Sequence, residues 1–307
     1  MDRKNFKIIF FGTPEFAAKS LQALFDDGYN IVGAVTQPDR PTGRKQEIQK
    51  SAVKKFAEKK ELRVIEQSEI AGLSADVGIL FAYGEILKRS VFDLFPLGIL
   101  NIHPSLLPKY RGASPVQSAI LAGDKITGVT IIRLDEKMDH GPIVAQEKVE
   151  IKEGEMADKL HERLAGIGTD LLLKILPDYI AGKIKLRQQN HEAASFCPRF
   201  RREDGLIDWR RPACEILRQF RAFHPWPGVF TLWQGKRLKI VKLSEIQGGL
   251  GQNLAPGMVF RGEQGEMGVV CGNGAAALEV VHLEGKKEMT GRDFLNGYGE
   301  VLGKVLG

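Results

Sequence analysis

Apolar and polar residues follow two different spacings at the start of the chain. The run Lys7–Phe11 is apolar and ends at Gly12, which predicts a buried parallel strand. Apolar residues then recur at helical spacing at Phe16, Ala17, Leu21 and Leu24. Thr13 is predicted to cap this helix, with Pro14 at its first position. A second apolar run at Ile31–Val35 completes a strand–helix–strand unit, which predicts an α/β fold with a Rossmann-like, doubly wound parallel sheet.

The same mixture of short apolar runs and helical stripes continues to about residue 187. Helices are predicted near Ala52–Ala57, Pro115–Leu121 and Asp158–Ile180, and strands at Val77–Phe81, Gly98–Leu100, Val129–Leu134 and from Ile143. The carboxyl ends of parallel strands share one edge of such a sheet, which is where open α/β sheets bind ligands.

From Leu206 onward the pattern changes to short alternating runs. A helix near Cys214–Phe223 is followed by Val229–Trp233, Leu238–Leu243, Gly257–Phe260, Gly268–Cys271 and Ala276–Leu283, with glycine-rich turns between them. Roughly five short strands of this kind predict a small β-barrel. The predicted organisation is a first domain at residues 1–187, a linker without clear periodicity at 188–205, and a second domain at 206–307.

Composition and charge narrow the classes of partner. A chain of 307 residues, 43% hydrophobic and 27% charged, is long enough for two folded domains. Its formal net charge of +6 permits an anionic partner such as RNA without requiring one. Residues 36–60 contain eight Lys or Arg against three Asp or Glu. This segment is either a solvated loop leading into a helix or an arm that lies against nucleic-acid phosphates.

Other features bear on location and assembly. No apolar run approaches the length of a membrane span, and the apolar segment at the N-terminus is too short for a signal sequence. Cys197, Cys214 and Cys271 lie far apart without zinc-like spacing, which favours a reducing compartment. We therefore expect a cytoplasmic protein. Monomer is the default expectation, because the second domain shows no obvious dimer face in its pattern.

The run Asn101-Ile102-His103-Pro104 carries the main candidate chemistry. Side chains alternate faces along a strand, so Asn101 and His103 should point the same way at the strand's end. An amide that can donate to an oxyanion then stands beside an imidazole that can carry a proton, a pairing suited to acyl transfer to an amine. The alternative is a pair that only caps the strand. Asp139, just before Gly141-Pro142, is by itself more typical of a turn than of a catalytic residue.

Taken with their neighbours, these residues resemble a known family. Asn-x-His followed by Ser-Leu-Leu-Pro, with a later Asp-x-Gly-Pro loop, is similar to the folate-dependent formyltransferases. Further segments resemble the branch of that family that formylates methionyl-tRNA, in the same order along nearly the whole chain. These segments are Phe11–Phe16, Gln37–Arg44, Asp204–Trp209, Pro225–Gly228 and Met289–Leu295.

The resemblance implies a specific reaction and architecture. The formyl group of 10-formyltetrahydrofolate, the donor cosubstrate, would pass to the free amino group of methionyl-initiator-tRNA, giving N-formylmethionyl-tRNA for translation initiation. The second domain would be an OB-like barrel that binds tRNA. Asn101, His103 and Asp139 are then the predicted catalytic residues: Asn101 and protonated His103 would stabilise the oxyanion, while Asp139 would hold His103 charged and accept the amine proton. No metal is required, and His140 beside Asp139 lacks a second set of ligands at suitable spacing.

Binding residues follow from the same resemblance. The resemblance implies that the pterin ring lies near Phe81, Ala82, Tyr83 and Gly84, although Tyr83 is equally compatible with core packing. The wall along the folate would be formed by Ser105, Leu106, Leu107 and Pro108. The predicted tRNA contacts are Arg40, Arg44, Lys45, Arg201 and Arg202. Arg111 is a further cation expected near the pocket mouth, facing the folate tail or an acceptor phosphate, unless it is a salt-bridged surface residue.

Three other functions compete with this prediction. A formyltransferase of the same fold that acts on an amino-sugar nucleotide would share Asp204–Trp209 and Pro225–Gly228, whereas the Gln37–Arg44 and Met289–Leu295 segments favour the tRNA branch. A purine-pathway formyltransferase would not need the second domain. A catalytically inactive RNA-binding protein would have no use for Asn101, His103 and Asp139 together.

Overall fold

The computed structural model describes residues 5–42, 47–246 and 254–307 and divides into two units. The first unit covers the chain up to Pro115 together with Ile126–Glu150 and Leu160–Cys197. The second unit contains Val116–Lys125, Ile151–Lys159 and the chain from Pro198 onward. The predicted domain limits at residues 187 and 206 stay predictions, but residues 188–197, expected in the linker, belong to the first unit by their contacts.

Seven strands form the sheet at the centre of the first unit. The strands as far as Cys197 are β1 (Lys7–Gly12), β2 (Asn30–Val35), β3 (Arg40–Thr42), β4 (Glu47–Gln49), β5 (Val64–Ile65), β6 (Val77–Phe81), β7 (Ile99–His103), β8 (Arg111–Gly112), β9 (Ile126–Arg133), β10 (Ile143–Glu150) and β11 (Phe196–Cys197). The sheet order is β10-β9-β7-β6-β1-β2-β5, while β3 pairs with β4 and β8 with β11. The predicted parallel sheet is confirmed for β7-β6-β1-β2-β5, and the structure adds an antiparallel edge formed by β9 and β10.

Helices connect these strands. They are α1 (Glu15–Asp26), α2 (Ala52–Lys59), α3 (Arg89–Phe92), α4 (Pro115–Ala122) and α5 (Ala157–Ile180), with 3₁₀-helices at Gln67–Gly72 and His191–Ala193. Ala17, Leu21 and Leu24 are buried on α1, as their spacing predicts. The predicted Thr13 cap is wrong. No side chain caps α1; instead the Thr13 hydroxyl donates to the carbonyl oxygen of Tyr83 at 2.8 Å, which ties the end of β1 to the end of β6.

Burial fixes the position of β7, the strand that carries the candidate chemistry. All five of its residues are buried, and it lies between β6, where Leu80 pairs with Asn101, and β9, where Thr130 pairs with His103. Helix α5 packs closely on this strand at Gly168, where a Cβ atom would come within 2.6 Å of Ile102 Cγ2. Asn101 and His103 are therefore held by backbone pairing on both sides and by a helix behind them.

The second unit is built around a curled antiparallel sheet. Its elements are a 3₁₀-helix at Arg202–Gly205, α6 (Ala213–Phe223), β12 (Val229–Trp233), β13 (Lys236–Ile246), β14 (Val259–Arg261), β15 (Met267–Val270), β16 (Ala275–Leu283), β17 (Met289–Thr290), α7 (Gly291–Gly297) and a 3₁₀-helix at Gly299–Val301. The strand order is β12-β13-β16-β15-β14, and β17 also pairs with β16. This half-barrel confirms the OB-like prediction. Across the described ranges, no helix combines the length and apolar character needed to cross a membrane.

Candidate active site

Two polar side chains are buried at the carboxyl end of β7. Asn101 is 7% exposed and His103 is 4% exposed. The Nε2–H of His103 donates to the carbonyl oxygen of Tyr110 at 2.9 Å, which places the proton on that nitrogen because a carbonyl can only accept. Pro104 follows directly and ends the strand. The sequence prediction that Asn101 and His103 share one end of a strand is thus confirmed.

Asp139 approaches His103 from the loop between β9 and β10. Its Oδ2 lies 3.6 Å from His103 Nδ1, and its side chain is 13% exposed. The same oxygen accepts a hydrogen bond from the Gly112 N–H at 2.8 Å. His103 therefore has the Tyr110 carbonyl oxygen bonded at Nε2 and the Asp139 carboxylate near Nδ1.

A buried network lies behind Asp139, and sequence reasoning missed its central residue. Gln189, 5% exposed, donates from Nε2 to the carbonyl oxygens of Asp139 and Gly141, both at 2.8 Å. Its Oε1 accepts from Arg111, from Nε at 3.2 Å and from Nη2 at 2.7 Å. No local signal marked Gln189, because it stands in a segment without periodicity and its partners are distant in sequence.

The interpretation of Arg111 requires correction. Its side chain is 4% exposed, so it is neither a surface salt bridge nor an open cation at a pocket mouth. Besides Gln189, its Nη2 contacts His191 Nδ1 at 2.9 Å. Burial lowers the pKa of the guanidinium, while the carboxylates of Asp139 and Asp135 act in the opposite direction. Arg111 acts inside the protein, on the loops that surround the site.

In each of the two segments predicted to line the folate, some residues are exposed and others are buried. Phe81 and Tyr83 are buried, and Tyr83 packs edge-on against Phe11. Ala82 and Gly84 are exposed, with φ angles of 50° and 83°. The Tyr83 hydroxyl donates to Glu85, and burial raises its pKa. At the protein surface, residues 81–84 therefore present mainly Ala82 and Gly84.

The second predicted folate segment, Ser105–Pro108, is divided in the same way. Ser105 is fully buried and donates to the Lys109 carbonyl oxygen at 2.6 Å, and Leu107 packs in the interior against Ile132 and Ile143. Leu106 and Pro108 are partly exposed. Of the predicted segment, these two side chains are the ones accessible to a ligand.

A cavity of about 670 Å³ adjoins the end of β6. Its walls come from residues 36–39, Lys54, residues 64–69, and Tyr83, Glu85 and Lys88. A volume of this size suits a small-molecule ligand.

His140 takes part in a stacked pair. Its ring lies 3.9 Å from that of His191, with an angle of 4° between the planes, and its Nδ1 is 2.6 Å from Asp135 Oδ2. Burial, followed by the positive charges of neighbouring groups, lowers the pKa of His191. Within residues 5–42, 47–246 and 254–307, no three His, Cys, Asp or Glu side chains are grouped so that they could hold a metal ion.

The predicted tRNA contacts lie on both units. Arg40 is exposed on β3, whereas Arg44 and Lys45 lie outside the described residues. Arg201 and Arg202 are exposed in the second unit, where the Arg201 N–H donates to Asp204 Oδ2 at 2.6 Å.

Two family models match most of this chain. Residues 5–176 match the formyl transferase family, and residues 199–299 match the formyl transferase C-terminal domain. The chain belongs to the formyl transferase family. The resemblance inferred from the sequence motifs is confirmed over both units.

Three relatives that match nearly the whole chain are named methionyl-tRNA formyltransferase. The methionyl-tRNA formyltransferase of Chloroflexus aurantiacus is 43% identical over 302 residues, covering 95% of this chain and 96% of that protein. The methionyl-tRNA formyltransferase of Coxiella burnetii is 38% identical over 307 residues, covering 97% of both. That of Roseiflexus castenholzii is 41% identical and covers 99% of both.

Solved structures share the fold at lower identity. An N-formyltransferase from Helicobacter canadensis, in complex with folinic acid and dTDP-3-aminofucose, superposes with a TM-score of 0.70 at 22% identity, covering 89% of this chain and 98% of that one. HypX from Aquifex aeolicus, in complex with tetrahydrofolic acid, gives 0.62 at 18% identity, covering 97% of this chain and 48% of that one. These two structures were solved with folates bound.

Proposed function

We propose that this member of the formyl transferase family transfers the formyl group of 10-formyltetrahydrofolate to the amino group of methionyl-initiator-tRNA. The observation that carries the chemistry is the convergence of Asn101, His103 and Asp139 at the carboxyl end of β7. The acceptor is supported by the full-length relatives, which are 38–43% identical and are named methionyl-tRNA formyltransferases.

Formyl transfer requires stabilisation of a tetrahedral oxyanion. The methionyl amine attacks the formyl carbon, and the carbonyl oxygen takes the negative charge until the bond to N10 of the folate breaks. The Asn101 amide donates a hydrogen bond to this oxygen, a contribution of about 3–4 kcal/mol for donors of this kind. Because the Nε2–H of His103 is already bonded to the Tyr110 carbonyl, His103 contributes mainly through the positive charge of its ring.

Asp139 serves both charge and proton transfer. Its carboxylate, 3.6 Å from His103 Nδ1, stabilises the charged imidazole in a buried setting. As the new C–N bond forms, the amine loses a proton to this carboxylate, and Asp139 returns that proton to N10 of the folate as the bond between the formyl carbon and N10 breaks. The proton balance is then neutral over the whole transfer.

The substrates occupy different surfaces in this proposal. The folate lies along Ala82, Gly84, Leu106 and Pro108, where side chains or backbone are accessible. Charged initiator tRNA contacts the basic residues Arg40, Arg44, Lys45, Arg201 and Arg202, whose side chains position phosphates without reading bases. A cytoplasmic location and a monomeric state belong to the same proposal.

A formyl-transfer assay tests the reaction and the acceptor together. The protein is supplied with 10-formyltetrahydrofolate and either methionine-charged initiator tRNA or a UDP-amino-sugar, with Asn101→Ala beside each acceptor. We expect transfer to the tRNA, reduced about 10²–10³-fold in the variant. Transfer to the sugar alone would overturn the acceptor, and transfer to neither would overturn the enzymatic function.

A further inference from the structure

Asp139 occupies a backbone conformation that needs support. Its φ angle is +48°, in the left-handed region that side chains other than glycine rarely adopt. Two residues on, Gly141 lies so close to β9 that a Cβ atom would come within 1.9 Å of the Arg133 carbonyl oxygen. The loop therefore lies in close contact with the end of β9 at Gly141.

Gln189 contacts two carbonyl groups of the same loop. Its single amide nitrogen donates to the carbonyl oxygens of Asp139 and Gly141, so one side chain holds the Asp139–His140 and the Gly141–Pro142 peptide planes. Both N–H groups of the amide are used in this way. A side chain without them would leave two carbonyl groups of the loop without these partners.

Arg111 fixes the direction in which the Gln189 amide points. Two N–H groups of the guanidinium donate to Oε1, which forces the NH₂ group toward the loop. The next residue of the same strand, Gly112, donates its N–H to the Asp139 carboxylate. The β8 strand and Gln189 therefore hold the side chain and the backbone of Asp139 respectively.

From these contacts we infer that Gln189, oriented by Arg111, is a positioning residue for the formyl transfer. It keeps Asp139 in the left-handed conformation that directs the carboxylate toward His103 Nδ1. Gln189 itself is buried behind the loop and acts only through Asp139. This inference rests on the proposed function, because Asp139 is the group through which Gln189 affects the reaction.

The second unit offers a matched control for substitution of Gln189. Gln219 is also 5% exposed, and its Nε2 also donates to two backbone carbonyls, those of Asp204 and Leu206, at 2.9 and 3.1 Å. Replacement of either glutamine by Leu removes two hydrogen bonds to backbone carbonyls, but only Gln189 is bonded to the Asp139 loop. Gln189→Leu also removes the two bonds from Arg111, whereas Gln189→Glu keeps that pairing.

The test compares Gln189→Glu, Gln189→Leu and Gln219→Leu in the full chain. Glutamate keeps the size of the side chain and its pairing with Arg111 but cannot donate to the two carbonyls. We expect kcat to fall about 10–100-fold in both Gln189 variants, with KM for folate and for tRNA changed less than about threefold, since misplacement by an ångström affects the transition state more than binding. Gln219→Leu should lower the melting temperature with kcat unchanged.

Retention of wild-type kcat in both Gln189 variants would overturn the inference, as would an equal loss of kcat in Gln219→Leu. A crystal structure of Gln189→Glu gives a readout that does not depend on activity. We expect φ of residue 139 to become negative, or the distance from Gly112 N to Asp139 Oδ2 to exceed about 3.5 Å, the outer limit of a hydrogen bond. An unchanged loop in this crystal structure would contradict the inference, whether or not the wild-type protein transfers formyl groups. A wild-type protein that transfers no formyl group would count only against the proposed function.

Discussion

Asp139 has an unusual backbone conformation. Among the described residues, it is also the only acidic residue found near His103. A left-handed aspartate costs conformational free energy that a glycine would avoid, so the loop retains a carboxylate despite a local loss of stability. The hydrogen bond from Gly112 and the two from Gln189 offset that cost. At the scale of single residues, the site is held by backbone donors and acceptors more than by contacts between side chains.

Asp139→Asn separates the charge of this residue from its shape. Asparagine tolerates the left-handed region and can still accept from Gly112, but it has no negative charge to accept a proton or stabilise the imidazolium. We expect kcat to fall by about 10²–10⁴, the range for removal of a general base, with the melting temperature nearly unchanged. Steady-state formyl transfer and thermal unfolding measure the two effects.

Asp135→Asn is the control for a charge removed from the same loop. Asp135 pairs with His140 rather than with His103 and therefore lies outside the proposed proton path. We expect kcat of the Asp135→Asn variant to stay within about threefold of the wild-type value. If both variants lost activity equally, the general loss of negative charge in the loop would explain the result, and the specific role of Asp139 would be wrong.

At the scale of elements, the packing of α5 on the sheet decides where β7 lies. Gly168 faces the sheet, with Ile102 Cγ2 and Val129 Cγ1 at 2.6 and 3.0 Å from the position of a Cβ atom. Ile102 stands between Asn101 and His103 on the opposite face of the strand. The close packing of α5 at Gly168 against Ile102 therefore fixes the position of β7, and with it the positions of both Asn101 and His103.

Two alanine substitutions in α5 should have opposite effects on stability. Gly168→Ala forces Ile102 or the helix to move, which we expect to lower the free energy of unfolding by about 1–3 kcal/mol. Gly166→Ala, two residues earlier, has nothing within 4 Å of the added methyl group and should raise it by about 0.5–1 kcal/mol through helix propensity.

Urea unfolding of the two variants and the wild type provides the measurement. Because both changes add the same methyl group to the same helix, the difference between them reports only the packing against the sheet. A Gly168→Ala variant as stable as Gly166→Ala would show that the helix does not pack on β7 at this distance.

At the scale of the whole molecule, chemistry and charge are divided between segments far apart in sequence. Candidate catalytic residues lie in the first unit, whereas Arg201 and Arg202 belong to the second. The proposed interactions of these arginines with tRNA phosphates would contribute to affinity without touching the reacting groups. Binding of tRNA and catalysis should therefore respond to different substitutions.

The double variant Arg201→Ala/Arg202→Ala tests this division. We expect KM for charged tRNA to rise about tenfold at moderate salt, with kcat and KM for folate unchanged, because removal of phosphate-binding side chains weakens binding uniformly. The slope of log affinity against log salt should also become shallower, by roughly 0.7–0.9 for each phosphate that is no longer neutralised. Steady-state kinetics across a salt series measures both.

Lys183→Ala/Lys185→Ala provides the control with the same change in net charge. Both lysines are exposed just after α5 in the first unit and have no predicted role in RNA binding. An equal rise in KM for tRNA in this control would mean that overall charge, rather than Arg201 and Arg202 themselves, governs the affinity.

The sequence by itself determined the longer strands and helices and named the candidate catalytic residues. Apolar runs such as Lys7–Phe11 and Val77–Phe81 form strands, and the stripe at Asp158–Ile180 forms α5, because periodic burial is a local property of the chain. The placement of Asn101 and His103 on one face follows from strand geometry alone. Asp139 could be named only through the family resemblance, because its loop carries no period.

Only the tertiary structure decided what surrounds those residues. Gln189 lies 50 residues from Asp139 and 78 from Arg111, and such pairs form when two loops without regular periodicity meet at a sheet edge. The same holds for Thr13, whose hydroxyl bonds to Tyr83 instead of capping the adjacent helix. Local patterns record which face of an element is buried, but hydrogen bonds between distant loops depend on three-dimensional proximity that no spacing in the sequence encodes.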